Sequence, residues 1–262
     1  MSPLQLINFQ YLCEKKLKKE WFENWFDSSY YPILYKNRDV QEAEGFINRL
    51  FDKLQLPAHQ KILDIACGEG RFAYQMAKRG HKVTGIDLSK NRIEIAKELV
   101  SDEVDLEFQV HDMRLPYYTQ YFDYAFNFFT SFGYFKNMRD TQSAVRTMFQ
   151  SLKKGGVLII DYFNAPLVIK ELISEEKIQR NNLTFEIFKK VEDKEIIKEI
   201  MVNDPVNGKH YFEERVSAFE LNDFLEMFTK KQDFKFVKAY GNYNLSDYDR
   251  NNSPRLIMKF KK

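Results

Sequence analysis

The stretch KILDIACGEG, residues 61–70, sets an apolar run ending in an acid ahead of two glycines that flank a glutamate. The residues that follow read as a helix from about 70 to 79. Glycine at such a strand-to-helix turn lets the backbone take left-handed angles and lets a ligand approach the main chain. The free N–H groups at the start of the following helix favour a negative ligand group. In an open parallel sheet this first turn borders the crevice beyond the carboxyl ends of the strands, where strand order reverses. Asp87, nineteen residues past Gly68, ends the next apolar run, HKVTGIDLS at 81–89. A carboxylate there is placed to accept from a ribose diol.

Outward from this unit, strands and helices alternate. NRIEIAKELV (91–100) reads as a helix, LEFQVHDM (106–113) and FDYAFNFF (122–129) as strands with a turn at Pro116 between them, and 138–153 as a helix. That helix ends in KKGG (153–156), where lysines suit its carbonyl end and glycine permits a left-handed cap. GVLIIDYF (156–163) is then a fifth strand. Ahead of the first strand, 15–52 reads as helical and amphipathic with Trp21, Phe22, Trp25 and Phe26 on one side, and Pro32 interrupts the pattern. A second helix at 40–54 offers Phe46, Ile47, Leu50, Phe51 and Leu54 at helical spacing.

After Asn164 the pattern changes. TFEIFKKV (184–191), EIIKEIMV (195–202) and HYFEERV (210–216) read as three strands of an inserted antiparallel meander. SAFE (217–220) has the Ser-x-x-Glu form of a capping box ahead of a helix carrying Leu221, Phe224, Leu225 and Phe228. DFKFVKAYGNY (233–243) and PRLIMKFK (254–261) close the chain as an antiparallel hairpin. The expected fold is α/β: a doubly wound, mostly parallel, seven-stranded Rossmann-like sheet with an antiparallel C-terminal hairpin, N-terminal helices and a small antiparallel β insertion. The expected division is a helical lid at 1–44, a cofactor-binding core at 45–164, the insertion as a substrate lid at 165–216, and a helix and hairpin at 217–262 that complete the core.

Composition removes several alternatives. Across 262 residues, 40 Lys plus Arg oppose 38 Asp plus Glu, so no uniform field invites polyanions. Cys13 and Cys67 lie far apart and the four histidines are not clustered at zinc-site spacing, so no metal site is expected and a reduced compartment fits. Apolar residues up to Leu12 precede a lysine-rich stretch, the reverse of a secretory signal. No run approaches the roughly 18 apolar residues of a membrane span. The expectation is a cytoplasmic protein.

The turn itself bears on the cofactor class. A carboxylate at Asp64 would repel a pyrophosphate, at a cost of about a few kcal/mol if poorly screened, yet would attract the ammonium of an amino-acid-bearing nucleoside. Ala73 replaces the third glycine of the dinucleotide fingerprint, a change that fingerprint tolerates. An NAD-dependent oxidoreductase therefore stays a rival.

DIACGEGRFA (64–73) resembles the first motif of the class I S-adenosylmethionine-dependent methyltransferases. The resemblance continues through GIDLS (85–89), VHDMRLP (110–116), FDYAFNFFTSFGYF (122–135) and LKKGGVLIID (152–161), and returns in the C-terminal hairpin. It implies S-adenosyl-L-methionine as cofactor. Asp64 would contact its methionine part, the turn through Ala66, Cys67, Gly68 and Gly70 would pass beneath it, and Asp87 would hold the ribose hydroxyls. Leu88 would pack on the adenine, Asp112 would accept from the adenine amino group with the Met113 backbone beside it, and Phe128 and Phe129 would border the site. Tyr35 would reach the cofactor carboxylate. On the acceptor side the resemblance points to Tyr31, Phe132, Tyr162, Asn164 and His210. Bland readings stand beside these: Asp112 as a turn cap, Phe128 as core, His111 as structural. Cys67 lacks the cationic setting a nucleophilic thiolate needs, and no catalytic base is assignable.

Base-amino methyltransferases carry an Asn/Asp-Pro-Pro-aromatic motif after strand four, whereas this chain has NFFT at 127–130. A small-molecule methyl acceptor is the leading expectation. The rivals are a methyltransferase acting on RNA or protein and a nucleoside-binding protein without turnover.

Overall fold

A computed structural model of the chain describes residues 20–35 and 40–262. Cys13, the lysine-rich run at 14–19 and the start of the 1–44 segment lie outside the described residues. Helices α1 (Trp21–Phe26), α2 (Tyr30–Leu34) and α3 (Val40–Leu54) precede the first strand. Strands β1 (Lys61–Ile65), β2 (Lys82–Asp87), β3 (Leu106–Val110), β4 (Phe122–Asn127) and β5 (Leu152–Phe163) then alternate with helices α4 (Arg71–Lys78), α5 (Lys90–Lys97) and α6 (Met138–Ser151). After α7 (Ala165–Lys170) come β6 (Glu175–Arg180), β7 (Leu183–Glu192), β8 (Glu195–Asp204) and β9 (Gly208–Ser217). Helix α8 (Leu221–Leu225), extended by a wide turn, leads to β10 (Lys235–Tyr240) and β11 (Arg255–Lys261).

Two sheets result. The larger has the order β10-β11-β5-β4-β1-β2-β3, with β11 antiparallel to both neighbours and the other pairs parallel. Its inner strands β1, β2, β4 and β5 carry consecutive buried residues because helices cover both faces. Ile62 of β1 joins Phe46, Ile47 and Leu50 of α3 and Phe72 and Met76 of α4 in one core. Leu63 and Ile65 of the same strand join Val145 and Met148 of α6 and Phe224 of α8 in the other. The smaller sheet, β6-β7-β8-β9, is antiparallel, and Phe185, Ile187, Ile200 and Val202 on one of its faces pack on Trp25 and Leu34. Among the described residues no helix is long and apolar enough to cross a membrane.

Four local expectations change. The insertion has four strands, because β6 (EEKIQR) is too polar to announce itself as a strand. KKGG does not cap α6: the helix stops at Ser151 and β5 starts at once, with the two glycines in an irregularity where Phe122 pairs with Leu152 and Tyr124 with Val157. Gly155 takes φ +81° there, so the left-handed glycine serves a bulge instead of a cap. Ser217 ends β9, and α8 is capped from Glu220, whose N–H donates to Asp223 Oδ2 at 2.8 Å. Pro32 does not break a helix. It sits in the first turn of α2, where its missing N–H has no intrahelical duty.

Gly70 opens α4 at φ +78°, and a Cβ there would lie 2.4 Å from Phe108 Cζ and 3.2 Å from Ala96 Cβ. Gly85 on β2 meets the same ring, at 2.5 Å. These two glycines therefore make room for Phe108 beneath the first turn. Gly70→Ala is expected to cost about 1–3 kcal/mol of stability through overpacking and left-handed strain, read as a lowered midpoint in denaturant. An unchanged midpoint would mean that the ring is free to move aside.

Candidate active site

The sheet reverses order between β1 and β4, so the crevice opens at their carboxyl ends. The chain leaves β1 through Ala66 (φ +59°) and Gly68 (φ +57°). The Cys67 N–H donates to Ile86 O at 3.0 Å, tying the turn to β2. A non-glycine residue at positive φ is strained, and three stand at this crevice: Ala66, Phe129 (φ +58°) and Thr130 (φ +60°). The last two are pinned by Asp161 of β5. Its Oδ2 accepts from the Phe129 N–H at 2.9 Å and from Tyr243 Oη at 3.0 Å. Arg255 donates from Nε to Asp161 Oδ1 at 2.8 Å and from Nη2 to Thr130 Oγ1 at 3.1 Å.

Two carboxylates face the turn. Asp87 accepts from the Gly68 N–H at 2.9 Å and the Ser89 N–H at 2.8 Å, which fixes its plane, and burial raises its pKa. Asp64 is 2% exposed, and its Oδ2 has no hydrogen-bond partner among the described residues. Burial first, then the charge of Asp87, pushes its pKa up to about 8, against the opposing pull of the Ala73 N–H and Arg71. An unpaired buried carboxyl is costly, and a cation that hydrogen-bonds to it relieves that cost. Burial and the same two acids also push the Cys67 thiol well up, so a reactive thiolate is not available there.

A cavity of about 1040 Å³ extends from this turn, large enough for a nucleoside and a second molecule. Asp64, Ala66, Cys67, Gly68, Asp87, Leu88, Asp112, Met113, Phe128 and Phe129 all line it. Gly70 does not; it acts through packing. Asp112 reaches the wall with its carboxylate already gripped: Arg114 donates to it from Nη2 at 2.6 Å, from Nε at 2.9 Å and from the backbone N–H at 2.8 Å. Little acceptor capacity is left for an adenine amino group. His111 also lines the cavity, with Nε2 3.1 Å from Leu115 O.

The acceptor-side residues divide. Tyr31 lines the cavity, as does Tyr35, expected at the cofactor carboxylate. Arg92 stands 4.4 Å over the Tyr31 ring, and Tyr35 Oη donates to Glu214 Oε1 at 2.7 Å and accepts from Lys198 Nζ, so its hydroxyl is committed to the smaller sheet. Phe132, Tyr162 and Asn164 are fully buried away from the cavity. Phe132 packs on Phe224 and Phe228, and Tyr162 Oη donates to Ser217 O. Asn164 Nδ2 donates to Ser253 O at 2.7 Å and Arg250 O at 2.8 Å. His210 packs its ring 5.0 Å from Tyr30 and is not part of the lining.

Several lining residues have no role assigned by the motifs. Glu69, the middle residue of Gly-x-Gly, pairs with Arg92 Nη1 at 2.9 Å, and Arg92 Nε donates to Phe26 O at 2.7 Å, joining the first turn to α1. Trp21, Phe22, Phe26, Tyr134, Phe135 and Phe163 form an aromatic wall. Lys189, Lys198 and Glu214 reach the cavity from β7, β8 and β9. One signal for these three was present: they are charged residues at positions whose strand neighbours two away, such as Ile187, Ile196, Ile200 and Phe212, are apolar.

A family model described as a methyltransferase domain matches residues 56–204. Phosphoethanolamine N-methyltransferase 1 of Arabidopsis thaliana is 36% identical over 175 residues, which is 61% of this chain and 34% of that protein. The chain spans about half the length, or less, of the curated relatives it matches. The crystal structure of an S-adenosylmethionine-dependent methyltransferase from Clostridium acetobutylicum superposes at TM-score 0.73 over 88% of this chain and 95% of that one, with 18% identity. The S-adenosylmethionine-bound amino pentose methyltransferase of Micromonospora echinaspora does so at 0.64 over 89% and 97%, also at 18% identity. At these identities the likeness establishes a shared fold.

Proposed function

The chain belongs to the methyltransferase-domain family, and from that premise we propose that it transfers a methyl group from S-adenosylmethionine to a small-molecule acceptor. The observation that carries this reading is the buried Asp64 Oδ2, without a partner among the described residues, beside the fixed carboxylate of Asp87 at the switch point. The pair fits a ligand with an ammonium at one end, which draws Asp64 into its ionised form, and a ribose diol at the other. When bound, S-adenosylmethionine supplies an electrophilic methyl on a sulfonium.

The protein's own residues then have three tasks. Asp64 holds the ammonium and Asp87 the ribose hydroxyls, which fixes the direction of the transferred group. The Phe129–Thr130 turn, held at positive φ by Asp161 and Arg255, supplies a rigid wall at the end of β4. The aromatic wall from α1 and the 131–135 loop excludes water, so that proximity and alignment carry most of the acceleration. Helices α1 and α2 together with β6–β9 act as a lid over the acceptor, and this cover favours a small molecule over RNA or protein. Cys67 as a free thiol fits a cytoplasmic location.

The test is calorimetry with S-adenosylhomocysteine and with NAD in parallel, followed by labelled-methyl transfer to metabolite pools. Micromolar binding of the first and none of the second is expected; the reverse would make the chain a dinucleotide enzyme. Asp87→Ala is expected to weaken S-adenosylhomocysteine binding by about 1–2 kcal/mol through loss of charge-assisted contacts. Unchanged affinity in the same calorimetric titration would remove the ribose role from Asp87.

A further inference from the structure

One face of the smaller sheet carries a row of charge between apolar rows. Lys189 of β7 lies directly opposite Lys198 of β8, which lies directly opposite Glu214 of β9. Glu176 of β6, opposite Ile187 in the neighbouring row, reaches across diagonally, its Oε2 2.7 Å from Lys189 Nζ. On one side of this row stand Ile187, Ile200 and Phe212, and on the other Val191, Ile196 and Val216. Lys189, Lys198 and Glu214 all line the cavity that begins at the Asp64 turn.

Like charges directly opposite one another on antiparallel strands destabilise a sheet, and this pair is largely withdrawn from solvent: the side chains of Lys189 and Lys198 are 23% and 19% exposed. The flanking acids do not relieve the two lysines equally. Glu176 pairs closely with Lys189, but Glu214 is shared. Its Oε1 accepts from Trp25 Nε1 at 2.5 Å and from Tyr35 Oη at 2.7 Å, which leaves Lys198 an ion contact of 3.4 Å to Oε2. Two ammonium groups therefore line the cavity from neighbouring strands, Lys189 paired closely with Glu176 and Lys198 held by the Tyr35 hydroxyl and, at 3.4 Å, by Glu214. An anion between them would turn a repulsive pair into a two-point clamp.

Resting on the methyl-transfer reading above, we propose that the methyl acceptor carries an anionic group, a carboxylate or a phosphate, and that Lys189 and Lys198 bind it. The methyl-accepting atom then points back across the cavity toward the Asp64–Asp87 turn. Glu214 acts as a positioning residue, holding Lys198 and Tyr35 in place from the far side of the row.

The experiment titrates inorganic phosphate and, separately, acetate into the protein saturated with S-adenosylhomocysteine, followed by NMR chemical shifts at constant ionic strength. Saturable millimolar binding of at least one anion is expected, and the one preferred identifies the acceptor's anionic group. Lys189→Met and Lys198→Met should each weaken that binding by about tenfold or more, with S-adenosylhomocysteine affinity unchanged, while Lys198→Arg retains it. Lys190→Met, on the exposed face of the same strand, should change nothing. Both methionine variants keep an apolar face apolar, and their folding is checked by their melting midpoints. Three results would overturn the inference: no saturable anion binding, equal binding by wild type and methionine variants, or variants that lose S-adenosylhomocysteine affinity instead, which would assign the lysines to the cofactor. A wild-type protein that binds no S-adenosylhomocysteine overturns the methyl-transfer reading as well; one that binds it but no anion overturns this inference alone.

Discussion

Gly68→Val is expected to leave a folded chain that no longer binds S-adenosylhomocysteine. A Cβ at Gly68 would meet no atom within 4 Å, so the substitution creates no internal clash; the added side chain instead stands in the space the cofactor needs. The backbone there is at φ +57°, which costs a β-branched residue about 1–2 kcal/mol, a loss that a chain of 262 residues can bear. Binding should fall by more than about a hundredfold, since bulk at the turn displaces the ligand from Asp64 and Asp87 together. Far-ultraviolet circular dichroism checks the fold and calorimetry the affinity. A folded variant that still binds normally would place the cofactor elsewhere. Gly70, two residues on, provides the contrast: substitution there strikes Phe108 and is read in stability.

Asp64→Asn is expected to weaken S-adenosylhomocysteine binding by up to about 3 kcal/mol, the size of a charged hydrogen bond lost in a buried site. The pH dependence gives this prediction its sign. In the free protein the Asp64 carboxyl is pushed up to about 8, whereas an unfolded aspartate sits near about 3.9. Between those values the folded chain holds a proton that the unfolded chain has released. Stability from this group is therefore fully present below the unfolded value and is lost as pH rises through about 8. Asparagine does not ionise, so the variant without ligand should gain stability relative to wild type as pH is raised from about 4 to about 8 and gain no more above that. Ligand binding runs the opposite way. Holding an ammonium requires the ionised form, so wild-type affinity should rise by up to about tenfold per pH unit from 6 to 8 and release a proton to the buffer. In the variant both the pH slope and the proton release vanish. A wild-type affinity flat across that range would show that Asp64 does not meet the ammonium.

The parts of the molecule legible in its sequence are those set by local chemistry. An apolar run, an acid and Gly-x-Gly at 61–70 fix the first turn, and Asp87 follows from its place at the end of the next strand. The alternation of apolar strands and helices conveys the covered parallel sheet. What sequence did not convey depends on register, which a period-two pattern leaves open by one residue. Tyr162 and Phe163 are adjacent aromatics at the end of β5; the second lines the cavity and the first is buried in the core. The irregularity at Gly155 and Gly156 shifts the pairing of this strand, and no residue near 162 reports that shift. The strand β6 was hidden because its half-exposed face is charged. Lys189, Lys198 and Glu214 come together only through the register of three strands, so no short motif contains them. Asp112 is placed on the cavity wall, as its motif implies, but Arg114 two residues later takes up its carboxylate.

The most direct measurement is a crystal structure with S-adenosylhomocysteine bound. The α-ammonium should lie within hydrogen-bonding distance of Asp64 Oδ2, the ribose hydroxyls on Asp87, and the sulfur facing the cavity enclosed by α1 and the smaller sheet. A nucleoside lodged away from the 64–70 turn, or one whose ammonium leaves Asp64 without a partner, would contradict the account.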